Sequence, residues 1–457
     1  MDQTMNTRSW IVFTFGSYFT ALLCFVSTQL QCGDVPGDTL LSRDYLTGDW
    51  AGSRNELSIR GIDFGFGYTS EVMSNRSGGL DIGTAYNGLG ELGVDLDLEK
   101  LTSWWKGGSF RVNSIWLHGR SPSEHYVGDV MALSNIDGHD SIRLYEVWWM
   151  QQFFEQRLTL QVGNMLVDED FTVNDMGGLF LNSAFGWPQF ITANSGTVVP
   201  AFFAAAPGIR IGIEPNSRWI AQAGIYDADS FDSPTGDPEI NERGTHIEIS
   251  GDQGYYVAYE VGYRHNQSES DTGLPGTYKL GGWYHSGDFD DLYRDLNGNA
   301  AIVTGVAPRV HEGNYGFYAS AEQLVWRESA NDPGQGLGLF GRFGFGPRNR
   351  SEYDWVVDGG FNYTGLIPSR EEDVFGIGVV WANVSSDMRR QQRADRDING
   401  SPVPSISDHE IAVEVTYYAD ITPWWSIQPD IQYIIHPGGS SELPNAFMIG
   451  LRSSLTF

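Results

Sequence analysis

The sequence predicts an all-β fold: a transmembrane antiparallel β-barrel of even strand number, sixteen, with a short N-terminal periplasmic helix. Three observations predict it. Segments of about ten residues alternate apolar with small or polar side chains, turn formers are abundant with 56 glycines, and only 19% of residues are charged while 13% are aromatic. Successive strand side chains point to opposite faces, so alternation makes one greasy and one wet face. Lipid meets only the greasy face, and a negative mean hydropathy is therefore compatible with a membrane location. At 457 residues without a linker or composition shift, the chain is also long for one soluble domain.

Residues 1–33 read as a signal peptide. Arg8 supplies a positive start and residues 10–26 an apolar core at the short edge for a spanning helix, with no basic stop-transfer cluster after it. Both cysteines, Cys24 and Cys32, lie there, so no internal disulfide is expected in the mature chain. Residues 34–60 read as a periplasmic segment. Thr47 or Asp49 caps its short helix, Trp50 and Leu57 form the inner face, and Gly61 ends it; no other helix stands out.

The barrel is assigned to residues 61–457. Strand candidates fall at 62–73, 88–99, 108–118, 142–154, 157–164, 207–214, 218–226, 243–250 and 254–265. The series continues at 276–286, 314–326, 336–345, 353–363, 374–383, 409–418, 425–435 and 446–457. That makes seventeen, and a bacterial barrel with both ends on the periplasmic side needs an even number, so the weakest, 243–250, is surplus. The last strand is the clearest. Phe447, Ile449, Leu451, Leu455 and Phe457 share one face, against Met448, Gly450, Arg452, Ser454 and Thr456. Ten residues at about 3.3 Å each, tilted by roughly 40°, cover about 25 Å, the height of a barrel's apolar band. Tyr255, Val257, Tyr259, Val261 and Tyr263 repeat the pattern, with tyrosines reaching both ends as an interfacial girdle requires.

Connections alternate in length. Residues 154–158 and 250–255 read as tight turns, whereas 167–207, 287–313 and 385–408 are long. The first long one carries Phe180, Phe185, Trp187, Phe190, Phe202 and Phe203, too aromatic for a solvated loop, so it is expected to fold inward and narrow the lumen. A formal net charge of -30 argues against nucleic acid as a partner. Acidic residues concentrate in loops, at 286–295 and at Asp227, Asp229, Asp232 and Asp237, where solvation explains them and bridging by divalent cations is the competing reading.

Several stretches together resemble the carbohydrate-selective porin family of the OprB type. Thr47-Gly48-Asp49-Trp50-Ala51-Gly52-Ser53-Arg54 is similar to its N-terminal Gly-Asp-Trp-Gly-Gly-x-Arg motif, with Ala51 in place of a glycine. Asp95 to Leu101 with Gly107-Gly108-Ser109-Phe110 resembles its second strand and turn, and Glu414–Tyr418, Ile427–Gly439 and the terminal strand resemble its closing run. The resemblance implies sixteen strands and passive diffusion of monosaccharides and related small polar solutes across the outer membrane. It also implies a constriction lined by Arg, Glu and Trp, and Arg111, Glu146, Trp187 and Arg210 are matched to that role. Strand parity agrees for three of them: Arg111 lies between Phe110 and Val112, and Arg210 between Ile209 and Ile211, while Tyr145, Val147 and Trp149 suit lipid and leave Glu146, Trp148 and Gln152 inside. Ordinary lumen packing or a structural salt bridge is the competing reading for each.

Other motifs carry little. Gly88-Leu89-Gly90-Glu91-Leu92-Gly93 fits a dinucleotide pattern but opens a strand with no helix after it. Asp395-Arg396-Asp397-Ile398-Asn399-Gly400 begins like a calcium loop, yet Ile406 stands where a bidentate Glu belongs. Neither His-Glu-x-x-His nor Gly-x-Ser-x-Gly occurs, so no enzyme, metal site or cofactor is expected. The expected partners are sugars or other small solutes and outer-membrane lipid, with the chain a monomer or homotrimer. Two alternatives stay open: a general or cation-preferring porin, and a non-transporting surface barrel acting as adhesin or scaffold.

Overall fold

Alternating strands hydrogen-bond in sequence order and the last pairs with the first, leaving no free edge. The computed structural model describes residues 39–457 except 234, 250–253, 269–270, 329–333 and 400–406; the signal-peptide assignment lies outside the described residues. Among the described residues sixteen strands form the barrel. They are β1 (Ile62–Ser77), β2 (Gly83–Asp97), β3 (Gly108–Gly119), β4 (Ser141–Phe153), β5 (Leu158–Met165) and β6 (Ala206–Asn216). Next come β7 (Trp219–Asp227), β8 (Tyr255–His265), β9 (Gly276–Asp295), β10 (Pro308–Arg327) and β11 (Gly336–Phe345). The circuit ends with β12 (Tyr353–Thr364), β13 (Val374–Val384), β14 (His409–Thr422), β15 (Trp425–Ile435) and β16 (Ala446–Thr456).

Parity settles the faces. In β16, Ile449 and Leu451 are exposed outward while Met448 is fully buried inside. In β8, Tyr255, Tyr259 and Val261 face out, and Tyr256, Ala258 and Glu260 face in. Aromatic pairs ring both rims of the outer apolar band, Trp219–Tyr263 and Trp326–Tyr363 at the end holding the C-terminus, Tyr255–Tyr284 and Trp355–Trp381 at the other.

The surplus candidate resolves as expected: 245–249 is irregular, part of the long β7–β8 connection, while most of the tight turn expected at 250–255 lies outside the described residues. Two other expectations are corrected. Most of 287–313 is not a loop, because β9 and β10 continue their pairing as far as Pro308 opposite Asp295. Besides α1 (Ser53–Ile59), the described residues hold short helices at Leu98–Thr102, Gln189–Thr192 and Ala301–Thr304 and one long helix, α2 (Ser386–Asn399). Its sequence is nearly all polar, so it lacks the apolar stripe by which a helix is read; good helix formers and a Ser385 Oγ that accepts from Met388 N–H at 3.2 Å hold it. Five of its residues, 395–399, are the start of the motif that resembled a calcium loop.

The N-terminal helix forms near its expected place. Asp49 Oδ1 accepts from Asn55 N–H at 2.8 Å, and the Arg54 guanidinium lies 3.7 Å over Tyr45 and 4.4 Å over Trp50. The Arg54 Nη2 donates to the Phe457 carbonyl, which ties α1 to the closing strand.

Candidate functional site

Residues 166–205, between β5 and β6, run inside the barrel as a plug. Its aromatic content is satisfied there: Phe180 and Phe185 stack with centroids 4.4 Å apart, and Phe340 of β11 lies 5.5 Å from Phe180. Wall glycines make the room. A Cβ on Gly344 would stand 2.2 Å from Phe190 and one on Gly378 2.5 Å from Phe185, closer than any side chain tolerates.

Polar wall residues of β8 to β15 hold the plug's backbone. The Glu414 carboxylate accepts from Leu181 N–H at 2.6 Å and Asn182 N–H at 3.0 Å. The Arg342 guanidinium, fully buried beside Asp358 at 2.8 Å, donates to the carbonyls of Thr172, Ala184, Phe185 and Gly186 at 2.8–3.0 Å. Buried backbone groups that no helix or sheet satisfies are thereby paired.

Toward β2 to β7 the plug carries the acidic run Asp168-Glu169-Asp170, and Gln222 of β7 donates to the Asp170 carbonyl. Arg111 of β3 makes a bidentate pair with Asp95 of β2, at 2.7 and 3.2 Å, and its Nη1 lies 3.9 Å from Glu146 of β4. Its guanidinium also lies 5.5 Å from the centroid of the Trp148 ring. Glu146 is buried and accepts from Asn113 Nδ2 at 2.7 Å and from Trp148 Nε1 at 2.8 Å. Arg210 of β6 donates to Gln161 at 2.7 Å and Gln222 at 3.2 Å, and pairs with plug Asp170 at 2.9 Å. Glu169 projects into the lumen within electrostatic reach of Arg111 and Glu146. Beside it opens a cavity of about 560 Å³, lined by Asp170, Arg210, Gln222, Glu260, Lys279 and Glu322 among others. That volume lies within the range of about 300–1,000 Å³ usual for small-molecule sites.

Of the four residues singled out in the sequence, Arg111 and Glu146 lie together within reach of plug Glu169, and Arg210 lines the cavity and pairs with plug Asp170. Trp187 does not join them: it is only 7% exposed, packed in the plug's hydrophobic core. Tyr145, expected to face lipid, is corrected. A β-bulge sets Asn113 opposite Glu146 and Ser114 opposite Leu144, so Tyr145 is the extra residue and points inward with Glu146, edge-on to Phe202 at 6.3 Å. Sequence reasoning missed the acidic triplet 168–170, although its charge at the head of an aromatic loop was a visible signal. It also missed Lys279, which alternates between outward Tyr278 and Leu280.

Burial shifts the plug's acids. Asp168 is pushed up to about 6 chiefly by burial, against a hydrogen bond from Phe202 N–H that lowers it. Asp170 also rises to about 6, again by burial, with Arg210 pulling it down.

The profile of the carbohydrate-selective porin, OprB family, matches residues 82–457, nearly the whole barrel. The chain belongs to the OprB family of carbohydrate-selective porins. It is 28% identical over 427 residues to Porin B of Pseudomonas aeruginosa, covering 90% of this chain and 91% of that one. A high-pH structure of Pseudomonas putida OprB superposes with a TM-score of 0.83 at 27% identity, over 92% of this chain and 100% of the other. A low-pH structure of Pseudomonas putida OprB shares the fold with a TM-score of 0.56 at 20% identity, over 91% and 99%. As an OprB-family porin the chain is an outer-membrane β-barrel and a sugar channel rather than an enzyme.

Proposed function

We propose that monosaccharides and related small polar solutes diffuse passively between the plug's 168–176 segment and the wall of β2 to β9, with Arg111, Glu146 and Arg210 contacting them. One observation carries this reading: each arginine at the opening is already neutralised by an acid, Arg111 by Asp95 and Arg210 by Asp170. Paired charges present fixed donors and acceptors with a weakened field, which suits a neutral polyhydroxyl solute better than an ion. The Trp148 ring beside Arg111 offers a flat face to the apolar side of a sugar ring. Trp187 serves by packing, keeping the plug in shape rather than touching solute.

A second reading concerns ions. Among the cavity-lining residues the acids Glu169, Asp170, Asp175, Glu260 and Glu322 outnumber the bases Arg210, Arg264 and Lys279, which favours cations over anions. The two readings are compatible, since sugars are uncharged. Residues 1–33 direct export, residues 34–60 lie on the periplasmic side, and the outer apolar band meets outer-membrane lipid. Each barrel closes on itself, so a monomer and a homotrimer offer the same path.

Liposome swelling tests the proposal, comparing glucose, a disaccharide and an amino acid of similar size to glucose. Faster entry of glucose than of the amino acid is expected, and Arg111→Ala and Arg210→Ala are expected to narrow that difference. Equal entry in the native protein would leave an unselective porin; no entry at all would point to an adhesin or scaffold.

A further inference from the structure

Away from the pore, at the rim opposite the C-terminus, three metal-ligating side chains converge. Asp408 ends the connection that carries α2, His409 opens β14 and His436 follows β15. His409 and His436 lie 27 positions apart, but β14 pairs with β15 so that Ile411 faces Ile435, which brings the two histidines side by side. Asp408 Oδ1 stands 3.2 Å from Nδ1 of His409 and 3.2 Å from Nδ1 of His436. The three ligand atoms all lie within 4.8 Å of one another, and the imidazole centroids are 4.7 Å apart.

Zinc bonds of about 2.0–2.1 Å in a tetrahedron require ligand-to-ligand edges of about 3.3 Å. Both edges to Asp408 match at 3.2 Å, and His409 N–H, donating to the same Oδ1 at 2.7 Å, holds that oxygen in place. The backbone presets them: Asp408 N–H donates to the Gly439 carbonyl at 2.9 Å, Gly439 N–H to the His436 carbonyl at 2.8 Å, and Asp408 accepts at its carbonyl from Val384 N–H at 3.0 Å. The His409 ring packs 5.1 Å from Trp381, which limits its rotation. All three side chains are half-buried, so an ion would meet few competing waters without needing the fold to open.

We propose that Asp408, His409 and His436 bind a divalent transition ion, with zinc the best fit and a fourth position open at the outer rim. Two imidazoles and one carboxylate suit zinc, copper or nickel, whereas calcium and magnesium take oxygen ligands. The bound ion ties the α2 connection to the β15–β16 connection and fixes this side of the rim. A second trio, Asp232, His246 and Glu248, is a poorer candidate. It sets the two nitrogens of a single imidazole toward different carboxylates, Nδ1 at 3.6 Å and Nε2 at 3.0 Å, and one ion does not bind both sides of a ring.

Calorimetric titration of Zn²⁺ into the untagged mature protein in detergent tests the site, alongside His409→Asn, His436→Asn, Asp408→Asn and His246→Asn. One saturable equivalent is expected in the native protein. Each of the first three changes should weaken it by more than about tenfold, the least that loss of even an outer-shell partner costs. His246→Asn should leave it intact, and excess Ca²⁺ should not compete. Heat-modifiable gel mobility identifies any variant that has lost the barrel, and the remaining variants then decide. No saturable binding, binding unchanged in folded His409→Asn or His436→Asn, or displacement by Ca²⁺ would each overturn the proposal.

Discussion

At the scale of single residues, the plug's acids and the arginines facing them are a set of opposed charges whose balance pH can shift. Burial raises Asp168 and Asp170 to about 6 from an ordinary carboxylate value near 4. A raised carboxylate is neutral below its folded value and charged above it, so the plug face gains negative charge as pH climbs through about 6. Reversal potentials in a potassium chloride gradient should show stronger cation preference at pH 7.5 than at pH 5, and Asp168→Asn with Asp170→Asn should flatten that difference. Linkage has the same sign: the stability these two acids contribute is complete below about pH 4 and is lost as pH rises through about 6. Trp187 behaves differently, since it is buried within the plug's core. Its replacement by Ala is expected to cost about 3–5 kcal/mol of stability, read as a lower thermal midpoint, while the order of sugar entry stays unchanged.

At the scale of elements, the plug stays inside because the wall is built to receive it. Arg342 is the central fastening, one buried guanidinium shared among Asp358 and four plug carbonyls. Removing it leaves an unpaired buried carboxylate and four unsatisfied carbonyls, a loss of about 3–5 kcal/mol. Arg342→Ala should therefore raise single-channel conductance and current noise, with protease cutting within 166–205; a channel indistinguishable from native would show that the aromatic packing holds the plug unaided. Gly344 and Gly378 belong to the same device, since any side chain there strikes Phe190 or Phe185.

At the scale of the molecule, the closed sheet separates an apolar outer band from a polar, water-filled path. The formal charge of -30 acts through that water-filled path and the loops. Salt should then separate neutral from charged solutes. Screening shortens from about 30 Å at 0.01 M to about 3 Å at 1 M, so cation preference should collapse across that range while glucose swelling rates, corrected for osmolarity, hold constant. A glucose rate that fell with salt would place unpaired charge in the sugar's path.

The sequence by itself determined the barrel, because a period of two is a local property and each strand declares its own faces. Ile449 against Met448, or Tyr259 against Glu260, needed no neighbour to be sorted, and the even-strand rule identified 243–250 as surplus. It also determined that Arg111 and Arg210 point inward and that the 167–207 stretch is too aromatic for water. What needed the tertiary structure was everything set by partners distant in sequence. The bulge that turns Tyr145 inward exists because β3 and β4 pair with one residue too many on one side. The acidic triplet 168–170 meets Arg111 and Arg210 only once the plug is folded in, and Trp187 is taken into the plug's core for the same reason. His409 and His436 become neighbours only through the β14–β15 register. Local alternation fixes which way a side chain points; only long-range pairing fixes what it meets.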